Sequence, residues 1–452
     1  MAKNHKNSSA NQAQNTQDSS KIHYIFQQQK SARLNDSKSC EHKLNQQNSL
    51  TTIGNFLQQN LVSQPIYALR PENIKIASKF FCSNFVSAKH KTKILYSVKS
   101  NPDDEVLKTL FANGINQFDV ASLNEIYTIS RLFGSTTKMY FMHPIKSREA
   151  IAEAYFKFNI RDFSFDSLEE LQKIIEATAN ATDLGLHLRI ATPNNHSAIN
   201  LSRKFGILAD KAVSLIRKAR TVAKRLGVCF HVGSQCTDPL QYRNAVEIAY
   251  NLITKAKVSI DVLDIGGGFP SSYPASIPPS LSSYFAEVFN AIESVKLPQD
   301  CEIWCEPGRA LVAESTSLIV RVEGRKDQML YLNDGTYGGL FDAGMPNFIY
   351  HSKAIRANKA KPSLSNKLIP FGFYGPTCDS LDVMNGPFYL PNNIAEGDYI
   401  EIGQMGSYSK SIRTNFNGFN NYHEILVSDL PLVSLYQESQ DLAVSLQNIK
   451  QI

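Results

Sequence analysis

At 452 residues the chain is long enough for two domains, and it holds no run of about 18 apolar residues that would span a membrane. Its formal net charge is +6, and residues 1–50 carry +4 of it (seven Lys/Arg against three Asp/Glu), leaving about +2 for the rest, too balanced to suggest nucleic-acid binding by the folded body. The seven cysteines (40, 82, 229, 236, 301, 305, 378) are odd in number and irregular in spacing, and no basic-then-apolar leader precedes them, so reduced thiols in a cytoplasmic protein are expected.

Residues 1–50 are rich in Asn, Gln, Ser and Lys and cannot bury enough apolar surface to offset their ordering entropy, so a disordered polar tail is expected there. Residues 51–74 are expected to supply N-terminal strands that join a β domain. From about residue 92, eight short apolar runs follow at 94–98, 117–120, 138–142, 162–166, 186–190, 228–232, 262–265 and 302–305. Helical periodicity lies between most of them, as at 106–111, 168–177, 212–226 and 243–256. Ser122 with Glu125, and Asp166 with Glu169, have the spacing of capping boxes just after strands. Eight strands alternating with helices predict a (β/α)8 TIM barrel of ordinary size over residues 75–315.

After residue 316 the texture changes to short strands at 317–322, 329–332, 347–351, 367–373 and 398–402, divided by turns such as Glu396-Gly397-Asp398. That pattern predicts an all-β domain over residues 316–452. Leu442, Val444, Leu446 and Ile449 have the spacing of a terminal helix. The fold class expected is therefore α/β plus all-β. Cys301 and Cys305 fall on one face of a strand, which favours packing over metal binding.

In a barrel of this kind, active-site residues sit at the C-terminal ends of the strands. The unusual polar residues of this chain gather there: Lys99 ending the first strand, Asp119 closing the second, His143 after the third, Arg189 at the end of the fifth, His231 ending the sixth, Gly266-Gly267-Gly268 after the seventh and Glu306-Pro307-Gly308-Arg309 after the eighth. A lysine leaving a buried strand is costly unless paired, and desolvation lowers its pKa toward a nucleophilic amine. Alone, it would more commonly be a lysine reaching to solvent from a strand end. Three glycines can bring backbone N–H groups close to an anion, although a tight turn explains them equally well. Arg309 and Ser234 could add hydrogen bonds to a phosphate held after the seventh and eighth strands. A phosphate site facing a strand-end lysine points to pyridoxal 5'-phosphate, with Glu306 on the ring nitrogen and His231 on the ring face. No metal site is expected.

The run Tyr96-Ser97-Val98-Lys99-Ser100-Asn101-Pro102, the segments 118–122, 231–234, 266–268 and 306–309, the stretch Gly375-Pro376-Thr377-Cys378-Asp379-Ser380-Leu381-Asp382 and the stretch Met405-Gly406-Ser407-Tyr408 together resemble a known family. It is that of the fold-type III pyridoxal-phosphate decarboxylases of basic amino acids, and the eukaryotic-type ornithine decarboxylases within it. The motifs stand in the family's order from about residue 55 to 425 and exclude the N-terminal tail. The resemblance implies an alanine racemase-like architecture, a barrel with a C-terminal β-sandwich or barrel-like domain. It implies that Lys99 carries the cofactor, that His231 stacks on it and that Glu306 holds its pyridinium. Asp119 and Arg189 would support it. Ser234, Gly266, Gly267, Gly268, Gly308, Arg309 and Tyr408 would surround its phosphate.

The resemblance also implies a homodimer with shared sites, Cys378 and Asp379 completing the partner's pocket, and Cys378 returning a proton after carbon dioxide leaves. Acids of the second subunit would bind the substrate's distal ammonium. Asp379 is one; the second is expected in the segment after Tyr337, where Leu340-Phe341-Asp342-Ala343-Gly344-Met345-Pro346 departs from the usual ornithine-type sequence and leaves Asp342 as the candidate. L-Ornithine, giving putrescine for polyamine biosynthesis, is the expected substrate, with lysine and arginine open. Diaminopimelate decarboxylase usually carries Cys-Glu-Ser where this chain has Cys378-Asp379-Ser380. A non-catalytic regulatory paralogue would have lost cofactor residues that are retained here.

Overall fold

The computed structural model describes residues 50–436 apart from 135, 194–196, 200–203 and 345–347. The tail expected up to residue 50, save that last residue, and the helix expected around 442–449 lie outside the described residues. Helix Ile53–Gln59 and strand β1 (Ile66–Leu69) come first. Then follow β2 (Thr92–Ser97), β3 (Gln117–Val120), β4 (Lys138–Phe141), β5 (Asp162–Phe165) and β6 (Gly185–Arg189). A short outlying strand β7 (Ser197–Ile199) precedes β8 (Arg225–Cys229) and pairs with β9 (Ser234–Cys236), after which come β10 (Val262–Asp264) and β11 (Glu302–Cys305). Strands β2, β3, β4, β5, β6, β8, β10 and β11 close in that order into a parallel barrel, the predicted TIM fold.

Strand alternation explains why each run is buried on both faces. In β11, Ile303 and Cys305 pack outward against the helices, while Trp304 faces the barrel interior with Leu95, Tyr140, Met142, Cys229 and Val262. Cys301 and Cys305 both sit in the helix-facing core. The lower interior is polar. His187 shares a 2.8 Å hydrogen bond with Asp162, and Arg225 also grips that carboxylate. Burial would raise Asp162, but His187 and Arg225 outweigh it and hold its carboxyl down at about 2.

Four local expectations are corrected. Val98 leaves β2 for a single 3-10 turn, because Lys99 and Ser100 must bend over the barrel rim. The sixth stave ends at Cys229, so residues 230–232 lie beyond it, and the helix expected to reach 226 stops at Arg220 because Arg225 already belongs to β8. The second cap is Ser167, which accepts from Glu170 N at 3.1 Å, while Asp166 accepts from Gly206 N at 2.9 Å. Ser122 caps as expected, accepting from Glu125 N, and the Glu125 carboxylate accepts from Ala121 N.

The β domain contains β12 (Thr316–Lys326), β13 (Met329–Leu332), β14 (Ser352–Ile355), β15 (Leu368–Tyr374), β16 (Val383–Pro391), β17 (Tyr399–Ile402) and β18 (His423–Leu426). The sheet order is β14-β17-β12-β13-β15-β16, and β1 joins it between β12 and β18. The strand expected at 347–351 is displaced to β14, because Phe348 and Tyr350 turn inward onto Tyr273; Asn347 lies outside the described residues. No helix among the described residues is long and apolar enough to cross a membrane.

Arg70, fully buried between β1 and the barrel's first helix (Pro71–Asn84), ties the two domains. It donates to Glu401 Oε1 at 2.9 Å, Ser317 Oγ at 2.8 Å and the Asp429 carbonyl at 2.7 Å. Arg70→Met would leave Glu401 buried and unpaired, so denaturant unfolding should show a loss of roughly 3–5 kcal/mol, much of it recovered by adding Glu401→Leu.

Candidate active site

Lys99 sits on the turn Val98–Ser100, and that turn is held on every side. Ser100 Oγ donates to Ser97 O at 2.8 Å, Tyr96 Oη to Asn101 O at 2.9 Å, and Tyr408 N to Ser100 O at 2.9 Å. The Lys99 ammonium donates to Asp119 Oδ2 at 2.6 Å, and Asp119 also accepts the Ser97 hydroxyl at 2.9 Å. Although 43% of the lysine side chain is exposed, that surface lines a cavity. Burial alone would lower its pKa. Asp119 and Glu306 more than reverse this, so the ammonium is held above its usual value, not below it as the sequence suggested. The buried lysine that does fall, to about 8, is Lys146, and its amine is consumed by Glu170, His143 O and Ser164 O.

His231 lies two residues beyond β8. Its Nδ1 accepts the Gly233 N–H at 3.0 Å, which places the ring proton on Nε2. Burial, helped by Arg189 and Lys99, drives its pKa far down, so the imidazole is neutral. Glu306 follows β11 and stands in hydrogen-bond contact with Asp264. Burial and the neighbouring Asp264 and Asp119 raise Glu306 far above an ordinary carboxyl, so the pair retains a proton. Gly266 and Gly268 have φ of +67° and +104°. A Cβ on them would fall 2.0 Å from Phe230 O and 2.5 Å from Gly233 O, so close backbone approach also requires glycine. The Gly266 N–H is taken by Asp264 Oδ1 at 2.8 Å and is not open to an anion.

Arg309, itself buried, opens the short helix Arg309–Val312, and a Cβ on the preceding Gly308 would press on Ser100 at 3.0 Å. The guanidinium donates to Tyr273 Oη at 2.6 Å and reaches Ser234 Oγ at 3.4 Å and Asp342 Oδ2 at 3.5 Å. The rings of Tyr408 and Phe348 lie 5.0 and 5.3 Å from it. Its Nε is buried with no partner among the described residues. Tyr408 takes the left-handed conformation at φ +51°, a strain that recurs at functional sites.

One cavity of about 460 Å³ is lined by Lys99, Asp119, Arg189, His231, Ser234, Glu306, Arg309, Asp342 and Tyr408. His143, Met142, Phe205 and Ile412 line it too. Phe205 comes from a loop with no strand periodicity, and Ile412 from the β domain, so neither carried a signal. The Arg189 guanidinium lies 5.4 Å from the Phe205 ring. Cys378 and Asp379 are elsewhere. They line a separate surface depression with Tyr331, Tyr374 and Asp382, and the Tyr337 hydroxyl donates to Asp379 Oδ2 at 2.5 Å. The single chain thus assembles the barrel-rim residues and Asp342, and keeps Cys378, Asp379 and Tyr337 apart from them.

The cavity fits pyridoxal phosphate. Lys99 offers an amine for the aldehyde, and Glu306 offers a carboxyl to the ring nitrogen. The buried, unpartnered Arg309 Nε beside Ser234 marks the anion end. A parallel barrel presenting these groups on one rim defines a pyridoxal-phosphate enzyme. The chain belongs to the pyridoxal-dependent decarboxylases, since residues 75–313 match that family's pyridoxal binding domain. It is 31% identical over 346 residues to the lysine/ornithine decarboxylase of Selenomonas ruminantium, covering 75% of this chain and 84% of that one. It is 32% identical over 361 residues to antizyme inhibitor 2 of Xenopus laevis, covering 74% and 75%. The arginine decarboxylase of Paramecium bursaria Chlorella virus, solved bound to agmatine, superposes with a TM-score of 0.72 at 25% identity, covering 83% of this chain and 99% of that one. The protein is a carboxy-lyase of the ornithine decarboxylase type, with pyridoxal phosphate as cofactor.

Borohydride reduction of the cofactor-loaded protein followed by peptide mapping should place the label on Lys99 alone. Label on Lys146, the lysine with the lowered pKa, would contradict this assignment.

Proposed function

We propose that the protein decarboxylates a basic L-amino acid, ornithine first, to putrescine and carbon dioxide, as a homodimer whose two sites are shared. The observation that carries the shared site is the separation within one chain of an organised, exposed loop bearing Cys378 and Asp379 from the Lys99 cavity. Asp379 is a carboxylate on that loop, which favours a substrate with a cationic far end; Asp342, expected to act from the second subunit, instead lines the cavity of its own chain against Arg309. The relatives named for lysine, ornithine and arginine accord with that. Lysine is the second reading, because one of those names includes it. The cytoplasm suits the free thiol that Cys378 must keep.

Bound pyridoxal phosphate supplies the electron sink for the bond that breaks as the carboxylate leaves. Lys99 would hold the cofactor through its amine at the barrel rim. Neutral His231, which lines the cavity, would pack on the cofactor without adding charge. Glu306 would hold the ring nitrogen, with the proton it shares with Asp264 available there. Arg309 and Ser234 hold the anion end, and Asp119 keeps the Lys99 amine aligned whenever it is free. Cys378 of the second subunit returns a proton to the α carbon, and Asp379 beside it pairs with the distal ammonium.

Carbon dioxide release should be measured with ornithine, lysine, arginine and meso-diaminopimelate. Release from a basic monocarboxylic amino acid, abolished in Lys99→Ala, is expected. Asp379→Ala should raise KM about 10- to 100-fold, the size of one lost charged pair. A protein that binds the cofactor and releases nothing from any of the four would refute the reading, and would favour a role like that of the inhibitor relative.

A further inference from the structure

Residues 406–417 form a strap that runs from the Lys99 turn to the Cys378 loop. At its near end, Asn101 Nδ2 donates to Gly406 O at 2.9 Å, Tyr408 N donates to Ser100 O at 2.9 Å, and Lys410 pairs with Asp103 at 2.8 Å. In its middle, Arg413 is paired with the buried Asp334 at 2.6 Å. At its far end it takes two grips. Thr414 donates through both N and Oγ1 to Tyr337 O at 2.9 Å, and Tyr337 in turn holds Asp379. Asn417 Oδ1 accepts the backbone N–H of Cys378 at 3.1 Å.

Asn417 has φ +52°, a conformation that asparagine tolerates better than most side chains. Its side chain is committed to this contact, on a residue that is exposed and buries no core. Asp382 supports the loop from behind, accepting from Thr336 N and Oγ1 and from Thr377 N and Oγ1 at 2.7–3.1 Å. Among the described residues, Asn417 is the partner that fixes the Cys378 amide itself.

We propose that Asn417 is the positioning residue for Cys378, and that the strap sets the loop each subunit lends to its partner from its own Lys99 turn. This rests on the shared-site reading. Asn417 lines neither the Lys99 cavity nor the Cys378 depression. It orients the thiol's backbone, so its loss should slow proton return to the α carbon and leave substrate binding almost intact.

The test uses cofactor-loaded mixed dimers of a Lys99→Ala subunit with a Cys378→Ala subunit. One competent site forms, taking Lys99 from the second subunit and Cys378 from the first. Placing Asn417→Ala on the subunit that supplies Cys378 should lower kcat about three- to tenfold, the size of one lost hydrogen bond, with KM nearly unchanged. The same change on the subunit that supplies Lys99 should leave kcat unaltered. Asn417→Asp, which keeps the acceptor, should restore the rate. An equal fall from either placement, no fall at all, or a loss that Asn417→Asp does not rescue would overturn the proposal. Mixed dimers that stay inactive before Asn417 is changed would instead overturn the shared site, and this assignment with it.

Discussion

The ammonium of Lys99 on the Asp119 carboxylate, within the field of Glu306, is the interaction on which the rest of the site depends. Barrel closure creates it. Strand β2 lies between β3 and β11, with Ser97 in register with Asp119 and Ile94 in register with Cys305. Three neighbouring staves therefore deliver a cation and two acids to one point on the rim, although they come from sequence positions far apart. Removing a lysine charge from water is unfavourable, and only closely placed opposite charge compensates. The 2.6 Å contact with Asp119 provides it. The lysine is thereby kept in place as a cation, and a cofactor aldehyde must compete with that pair.

The opposite end of the cavity is built differently. Arg309 comes from the barrel, but the groups packed on it include Tyr408, Phe348 and Asp342 from beyond residue 316. The β domain thus closes the barrel mouth over the anion end. It also carries Cys378 and Asp379 on an outward loop. The barrel supplies most of the residues that line the cavity, and the β domain supplies the rest of its wall. Arg70, gripping Glu401 and Ser317, keeps that division rigid.

The barrel was readable because each stave is a short apolar run ended by a polar residue, and because those polar residues have no role in packing. Lys99, Asp119, His231, Glu306 and Arg309 were all found by that reasoning, and the cavity unites them. The β domain was less readable. Strand β16 contains Gly386-Pro387 and β18 begins His423-Glu424, so both look like turns or surface loop. The Lys99 charge state was misjudged because desolvation can be argued from one residue, whereas the compensating acids lie on other strands. Asp264 behind Glu306, Phe205 at the mouth and Asn417 on the strap left no local pattern. Their importance arises only from contacts across the fold.

The measurement that tests this account most directly is the pKa of Lys99 in the cofactor-free protein, read from the pH dependence of its reaction with pyridoxal trapped by reduction. The account predicts a midpoint above that of an ordinary lysine, falling in Asp119→Asn. A midpoint below the ordinary value, or one that Asp119→Asn leaves unchanged, would show that burial and not the paired carboxylates governs the site.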